Sequence, residues 1–503
     1  MIYPNNFEQK IGFNDIRSLL HERCLSTLGR EQVDSMEFSI DTQQINRWLT
    51  EVREFRNIQE GLEPFPLDNV FDVRASVARI RLEGTYMEED ELFDLKRSLE
   101  TIIAVVKFLS VGEELPNGEI QHTYPALYAL SDGVATFPIL VQRISQIIDK
   151  FGKMRDSASS DLLQIRRELA RVESSISRTL NSILHSAQNE GVVERDVTPT
   201  MRDGRLVIPV APGMKRKISG IVHDESATGK TVFIEPTEVV EANNKVRELE
   251  NEERKEIIRI LREFAKQVRP YVHEILDSYH FLALIDFIRA KAELARMLKA
   301  IEPEVKSEPH IDFIRAIHPL LQLALAKKQH STINNDKPDV VIPLDIQLTI
   351  DKHLLIISGP NAGGKSVCLK TVGLLQYMLQ CGISIPVSER STAGTFQNLM
   401  IDIGDEQSIE NDLSTYSSHL MNMKTMMKQA DSHTLILIDE FGTGTEPQIG
   451  GAIAEAVLKQ FWKKQAWAVI TTHYQNLKHF AEDHKGVVNG AMLYDRHEMR
   501  PLF

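Results

Sequence analysis

Hydrophobic positions in this chain change their spacing several times, and each change marks a new element. In "FNDIRSLLHERCLSTLG", Phe13, Ile16, Leu19, Leu20 and Cys24 recur at helical intervals, with Gly29 expected as the C-cap. "MEEDELFDLKRSLETIIAVVKFL" repeats the pattern with acids in its first turn. The breaker-rich "SVGEELPNGEIQHTYPALYALSDGVATFP" reads as a connection. From about Pro138 helix resumes and runs to about 190, with no Pro or Gly across 153–190. That length predicts an extended arm or a coiled-coil-like pair.

At Gly191 the period shortens. "RLVIPV", "KISGIVH" and "TVFIEP" are short β-type runs punctuated by Asp203-Gly204, Pro212-Gly213 and Thr228-Gly229. A helical stripe then returns through Val246, Leu249, Ile257, Ile260, Leu261, Phe264 and Val268. Glu241–Lys245 and Glu250–Arg254 are favourably spaced on it. The pattern predicts an outgoing arm, a small β tip and a returning arm. Beyond about Ile311, "VIPLDIQLTI", "HLLIIS", "HTLILID" and "AWAVIT" alternate with helical stretches, the signature of a largely parallel sheet covered by helices. The expected fold class is thus α plus α/β and multidomain. It comprises a helical core or lever (1–137), an outgoing arm (138–190), a β-rich tip (191–236), a returning arm with core helices (237–310) and a P-loop α/β domain (311–503).

Composition changes this picture little. The 503 residues predict several domains; 42% hydrophobic and 26% charged residues are ordinary for a globular chain. Three widely separated cysteines have no metal-ligand spacing, and a cytoplasmic setting is expected. The start lacks a signal-peptide pattern, and no apolar run is long enough to span a membrane. The net charge of -13 argues against coating nucleic acid with the whole surface. Residues 153–230, with 13 Lys/Arg against 10 Asp/Glu, carry an excess of +3 where the rest carries -16. That asymmetry fits a local nucleic-acid contact or ordinary surface charge equally well.

The strongest chemistry lies at Gly359-Pro360-Asn361-Ala362-Gly363-Gly364-Lys365-Ser366, a G-x-x-x-x-G-K-[ST] loop between an apolar run and a helix. Glycines let several backbone N–H groups turn inward, and the helix N-terminus adds partial positive charge. Lys365 is expected to reach the β- and γ-phosphates, and the Ser366 hydroxyl to ligate magnesium. "LILIDE" ends at Asp439-Glu440, where Asp439 would support magnesium and Glu440 would polarise an attacking water. His473, just past "AVIT", is placed as a γ-phosphate sensor. Ser414, Thr415, Ser417 and Ser418 precede a helix; they either cap it or grip a phosphate, including one held by another subunit.

"GPNAGGKSVCLKTVGLLQYMLQCGISIPV", "GDEQSIENDLSTYSSHL", "LILIDEFGTGTEPQIGGAIAEAVL" and "TTHYQNL" resemble, in order, the ATPase motifs of the MutS family of ABC-type ATPases. The similarity is closest to the family's second bacterial branch. "MRDGRLVIPV", "GIVHDESATGKTVFIEP" and "NNKVRELENEERKEI" look like that branch's clamp region, so the resemblance covers nearly the whole chain. It implies that residues 359–366 with Val367 bind ATP, that Ser366 and Asp439 hold Mg2+, and that Lys365, Glu440 and His473 are catalytic. It also implies that Ser414 acts in trans across a homodimer. The clamp would enclose branched or structured DNA without sequence preference, with Arg202, Arg205, Lys215, Arg216, Lys217 and Lys230 as backbone contacts or else as solvated loop charges. The same resemblance supports a second reading, a ribosome- and rRNA-associated ATPase that separates stalled ribosomes.

Three departures bear on this. Mismatch-reading members carry an N-terminal domain with a Phe-x-Glu wedge. Here that triplet falls at Phe233–Glu235 in a tip strand and at Phe480–Glu482 in the P-loop domain, so wedge-type mismatch repair is not expected. The family's Arg-His-Pro stands as Ile317-His318-Pro319. The branch continues into a small MutS-related nuclease-like domain beyond "MRPLF", so these residues are not expected to cut nucleic acid.

Overall fold

The computed structural model describes residues 1–202, 204–331, 341–359, 364–404, 415–442, 446–491, 493–495 and 500–502. They form a mostly helical N-terminal region followed by a parallel α/β domain. Compactness divides the chain into two units: Met1–Asp68, Val105–Val134 and His280–Phe503 form one; Asn69–Ala104 and Ala135–Tyr279 form the other.

The first unit is built on a parallel sheet in the order Ile2–Tyr3, Asn398–Asp402, Thr434–Ile438, Trp467–Thr471, Lys352–Ser358, Gly486–Ala491. Thr434–Ile438 and Trp467–Thr471 are buried along their whole length, as strands covered on both faces must be. One core, formed by residues such as Ile356, Met400, Ile436, Ile438, Phe441, Leu458, Phe461 and Ile470, joins these strands to their helices. The run 341–350 does not enter this sheet as expected. Its strand Leu344–Leu348 lies antiparallel to Ile311–Ala316 in a separate four-stranded sheet. Exposed Asp345 and Gln347 alternate with its more buried residues, a half-solvated pattern unsuited to a doubly covered strand.

The N-terminus also departs from expectation, since Ile2–Tyr3 is an edge strand beside Asn398–Asp402. Gly29 is not a C-cap. The helix Phe13–Arg23 ends at Cys24, and Gly29 lies inside the next helix, Thr27–Asp34. Its lack of a side chain admits the buried Asp286: a Cβ on Gly29 would sit 2.4 Å from Asp286 Oδ2. That carboxylate accepts from the Ser26 backbone N–H at 2.9 Å and the Ser26 hydroxyl at 2.7 Å.

In the second unit the helix from Pro138 is interrupted. Pro138–Ile147 ends before a turn at Gly152, where φ is +81°, and Ser160–Asn189 follows as a 30-residue helix. The partner helix Thr237–Val268 packs along it. Ser159 Oγ donates to Glu256 at 2.6 Å and Arg166 Nε to Glu253 at 2.7 Å. Lys245 meets Glu248 at 3.5 Å rather than the expected Glu241. The strands Thr200–Arg202, Arg205–Val210, Val232–Pro236 and Gly220–Glu225 form an antiparallel sheet in that order. Ile208, Val210, Val232 and Ile234 pack with Leu180, Leu184 and Val246 of the two helices, so tip and arms share a core. No helix among the described residues is long and apolar enough to cross a membrane.

Candidate nucleotide site

The candidate site forms at the C-terminal ends of adjacent parallel strands, where ligands gather in open α/β sheets. Lys352–Ser358 leads to Gly359, and Gly364 precedes the helix Lys365–Gln380. Both glycines have positive φ, +143° and +81°, conformations that a side chain would strain. Pro360, Asn361, Ala362, Gly363 and Ser414 lie outside the described residues.

Lys365 is 2% exposed. Its ammonium donates to Gly359 O at 2.7 Å and lies 3.2 Å from His473 Nε2. Burial pushes its pKa down, opposed by the charges of Glu440 and Asp439. Residues more than 100 positions apart are thus brought together by the pairing of Lys352–Ser358 with Trp467–Thr471. Ser366 and Val367 are exposed on the helix's first turn.

Asp439 and Glu440 follow Thr434–Ile438, the next strand beyond Trp467–Thr471. The Thr471 hydroxyl donates to Asp439 Oδ1 at 2.6 Å and accepts from the Glu440 backbone N–H at 2.7 Å. This buried hydroxyl fixes both acids, and the sequence reading missed it. Glu440 has φ of +48°, a left-handed conformation costing a non-glycine residue about 1–3 kcal/mol. Its side chain is exposed, while Asp439 is half-buried. Behind Asp439, its backbone N–H donates to Asp402 O at 2.9 Å. The buried Asp402 carboxylate meets His419 Nδ1 at 2.7 Å and accepts from Asn422 Nδ2 at 2.9 Å. Asn422 Oδ1 accepts from the Tyr3 hydroxyl at 2.7 Å. The helix Thr415–Gln429 is thereby tied to the acid-bearing strand and to the N-terminal strand.

A second feature absent from the sequence reading is an apolar cavity of about 220 Å³ beside the first turn of the P-loop helix. Ala316, His318, Ile342, Leu344, Val367 and Cys368 line it. Burial, with the charge of Lys370, pushes the pKa of His318 down to about 4, so its ring is neutral at pH 7. Three separated segments meet there, which no local motif announces.

The tip residues divide into two kinds. Arg205 is held inside: Nη1 donates to both oxygens of the fully buried Glu235, at 2.8 and 2.7 Å, and Nη2 to Asn244 Oδ1 at 3.0 Å. Arg205, expected as a backbone contact or a solvated loop charge, thus neutralises a buried carboxylate here. Asn243 and His223 complete that carboxylate's shell. Burial pushes the Glu235 pKa up, but the bonds from Asn243, Arg205 and His223 outweigh it and hold the carboxyl below its ordinary range. Arg202 is half-exposed, 4.3 Å over the Phe233 ring and 4.0 Å from Asp224. Lys215, Arg216, Lys217 and Lys230 are exposed.

The features at the sheet's end are those of a P-loop ATPase domain, and residues 355–503 match the family model of MutS domain V. The chain belongs to the MutS2 family. It is 36% identical over 492 residues to "Endonuclease MutS2" of Geobacillus sp. (strain WCH70), a match covering 98% of this chain and 60% of that protein. The protein of the same name from Enterococcus faecalis is 35% identical over 493 residues, and that from Finegoldia magna 37% over 491, with the same two coverages. The chain spans about 60% of the length of these curated relatives.

Proposed function

We propose that this MutS2-family ATPase is an ATP-driven clamp for branched or structured DNA, working as a homodimer. The observation that carries the catalytic part is the meeting of Lys365 with His473, beside two acids fixed by Thr471. These residues fit magnesium ATP: a buried ammonium and a helix N-terminus suit phosphates, while Ser366 and Asp439 supply hard oxygen ligands. Bound magnesium would neutralise charge on the phosphates. Lys365 steadies the β- and γ-phosphates, and His473, already within reach of Lys365, senses the γ-phosphate. Glu440, held at its strained turn, orients and deprotonates the attacking water. The apolar cavity beside Val367 seats the base, with the neutral His318 ring as part of its wall. Ser414 acts on the partner's nucleotide.

Residues 1–137 and 237–310 serve as core and lever, and 138–190 with 191–236 as arm and clamp tip. Lys215, Arg216, Lys217 and Lys230, with the half-exposed Arg202, contact phosphates. Such contacts bind without reading sequence. ATP binding brings two P-loop domains together, and hydrolysis resets the arms.

The test is to trap the protein with Glu440→Gln and ATP, recover it from cells, and sequence the bound DNA and RNA. Enrichment of branched DNA supports the clamp reading. Enrichment of ribosomal RNA overturns it in favour of an ATPase that acts on stalled ribosomes.

A further inference from the structure

A separate cavity in the first unit, about 420 Å³, shares no lining residue with the apolar cavity beside Val367. The helix Thr42–Glu60 supplies Trp48 and Glu51, and the helix Val272–Leu298 supplies Phe287 and Lys291. Cys381, the C-cap of the P-loop helix, closes one side. Its volume falls within the ordinary range of small-molecule sites.

Two charged side chains make this cavity unusual. Glu51 and Lys291 are each only 4% exposed, yet they form no ion pair with one another. Glu51 accepts no hydrogen bond among the described residues. Lys291 uses one of its three donors, on Cys381 O at 3.0 Å, and its ammonium lies 4.3 Å from the Phe287 ring centre and 5.6 Å from that of Trp48. Burying a carboxylate that accepts no hydrogen bond is costly, and a core that needed only packing would not line one cavity with two opposite charges that do not bond to each other. Burial pushes Glu51 up to about 7, opposed by the charges of Lys291 and Arg47, and pushes Lys291 down to about 8, opposed by the charges of Cys381 and Glu51. At the mouth, exposed Arg47 adds a second cation.

We infer that this cavity is a binding site for a small amphoteric molecule with a flat apolar body, the chemistry of a free aromatic amino acid. The ligand's ammonium faces Glu51, its carboxylate faces Lys291 and Arg47, and its ring lies against Trp48 and Phe287. Each buried charge thereby gains a directly bonded counter-charge, and aromatic faces suit both the ring and the cation. The inference does not depend on the clamp reading, because it uses none of the nucleotide-site or tip residues.

Calorimetric titration of the unaltered chain with L-phenylalanine and L-tryptophan tests it. The expected result is saturable binding of at least one of them with a Kd of about 1 mM or tighter. Phenylacetate and 2-phenylethylamine, each lacking one charge, are expected to bind about tenfold or more weakly. Glu51→Gln and Lys291→Met, each checked by its melting temperature, should weaken the amino acid by a similar factor. No saturable binding of either amino acid overturns the site. So does equal binding of the single-charge analogues, or an unchanged affinity in a folded Glu51→Gln variant. If both variants unfold, the four probes on the unaltered chain still decide.

Discussion

Lys365, buried in the candidate nucleotide site, and Arg205, partly buried in the β sheet, are both cations, but their partners differ in kind. Lys365 donates to a backbone carbonyl, lies 3.2 Å from a histidine nitrogen, and is within the influence of two acids on the neighbouring strand. Arg205 is neutralised by Glu235 through two short bonds. On the proposed function, the first arrangement places its charge where a phosphate would bind. The second uses the charge to hold two strands and a helix together. The Arg205 guanidinium has a full counter-charge in its own shell, and that pairing marks it as structural.

The largest expected effect lies at the nucleotide site. Glu440→Gln keeps the shape of the turn but removes the proposed base, and should lower ATP turnover by about 10²–10⁴-fold while ATP still binds. Steady-state hydrolysis beside nucleotide-binding titration checks this. Turnover unchanged from the parent would sink the role given to Glu440.

At the tip the corresponding substitution acts on stability. Glu235→Ala leaves the partly buried Arg205 guanidinium with only its bond to Asn244, at a cost of roughly 1–3 kcal/mol to the tip. Hydrogen exchange in the strands Arg205–Val210 and Val232–Pro236 should rise accordingly. The pH dependence has a definite sign. Because the folded-state pKa of Glu235 is lowered, its contribution is present above the unfolded carboxyl value of about 4.3 and lost as pH falls through the depressed folded value. Tip protection that stays constant in the parent down to about pH 3 would remove Glu235 from this role.

These sites differ in how far they could be read in advance. The glycine loop, the acids after "LILI" and the histidine after "AVIT" are short contiguous signals, each at the end of an apolar strand. The parallel α/β class followed from the same runs. What stayed hidden depends on distant partners. Ile2–Tyr3 is too short to show a period, and its partner strand begins nearly 400 residues later. Gly29 looked like a helix end because Asp286, which needs its missing side chain, is 257 positions away. Arg205 looked like its exposed neighbours because Glu235 joins it only when the strands pair. Ser414, expected to act in trans, lies outside the described residues.

Thr471 gives a smaller effect that sharpens the nucleotide side of the comparison. Thr471→Val keeps the volume but removes the hydroxyl that joins Asp439 to the Glu440 backbone. An unsatisfied donor beside a strained turn costs about 1–3 kcal/mol. Turnover should fall by roughly tenfold if about half of that appears in the transition state. The decisive pattern is lower kcat with little change in KM for ATP, because Lys365, proposed to hold the phosphates, is untouched. A rise in KM alone would assign Thr471 to binding instead.

The smallest expected effect separates the two kinds of cation within the tip itself. Lys215 is exposed and carries no ion pair among the described residues, so removing it should leave the fold intact. If it neutralises one DNA phosphate, Lys215→Ala lowers the magnitude of the slope of log affinity against log salt by about 0.9. Arg205→Ala should behave oppositely. It frees the buried Glu235 charge and loosens the tip, so exchange protection falls there while no phosphate contact of its own is lost. The pair of measurements therefore has crossed outcomes: Lys215 moves the salt slope and not the protection, Arg205 moves the protection first. An unchanged slope in Lys215→Ala removes that lysine from the contact surface. A loss of slope in Arg205→Ala with protection intact would return Arg205 to that surface and dissolve the distinction drawn from Glu235.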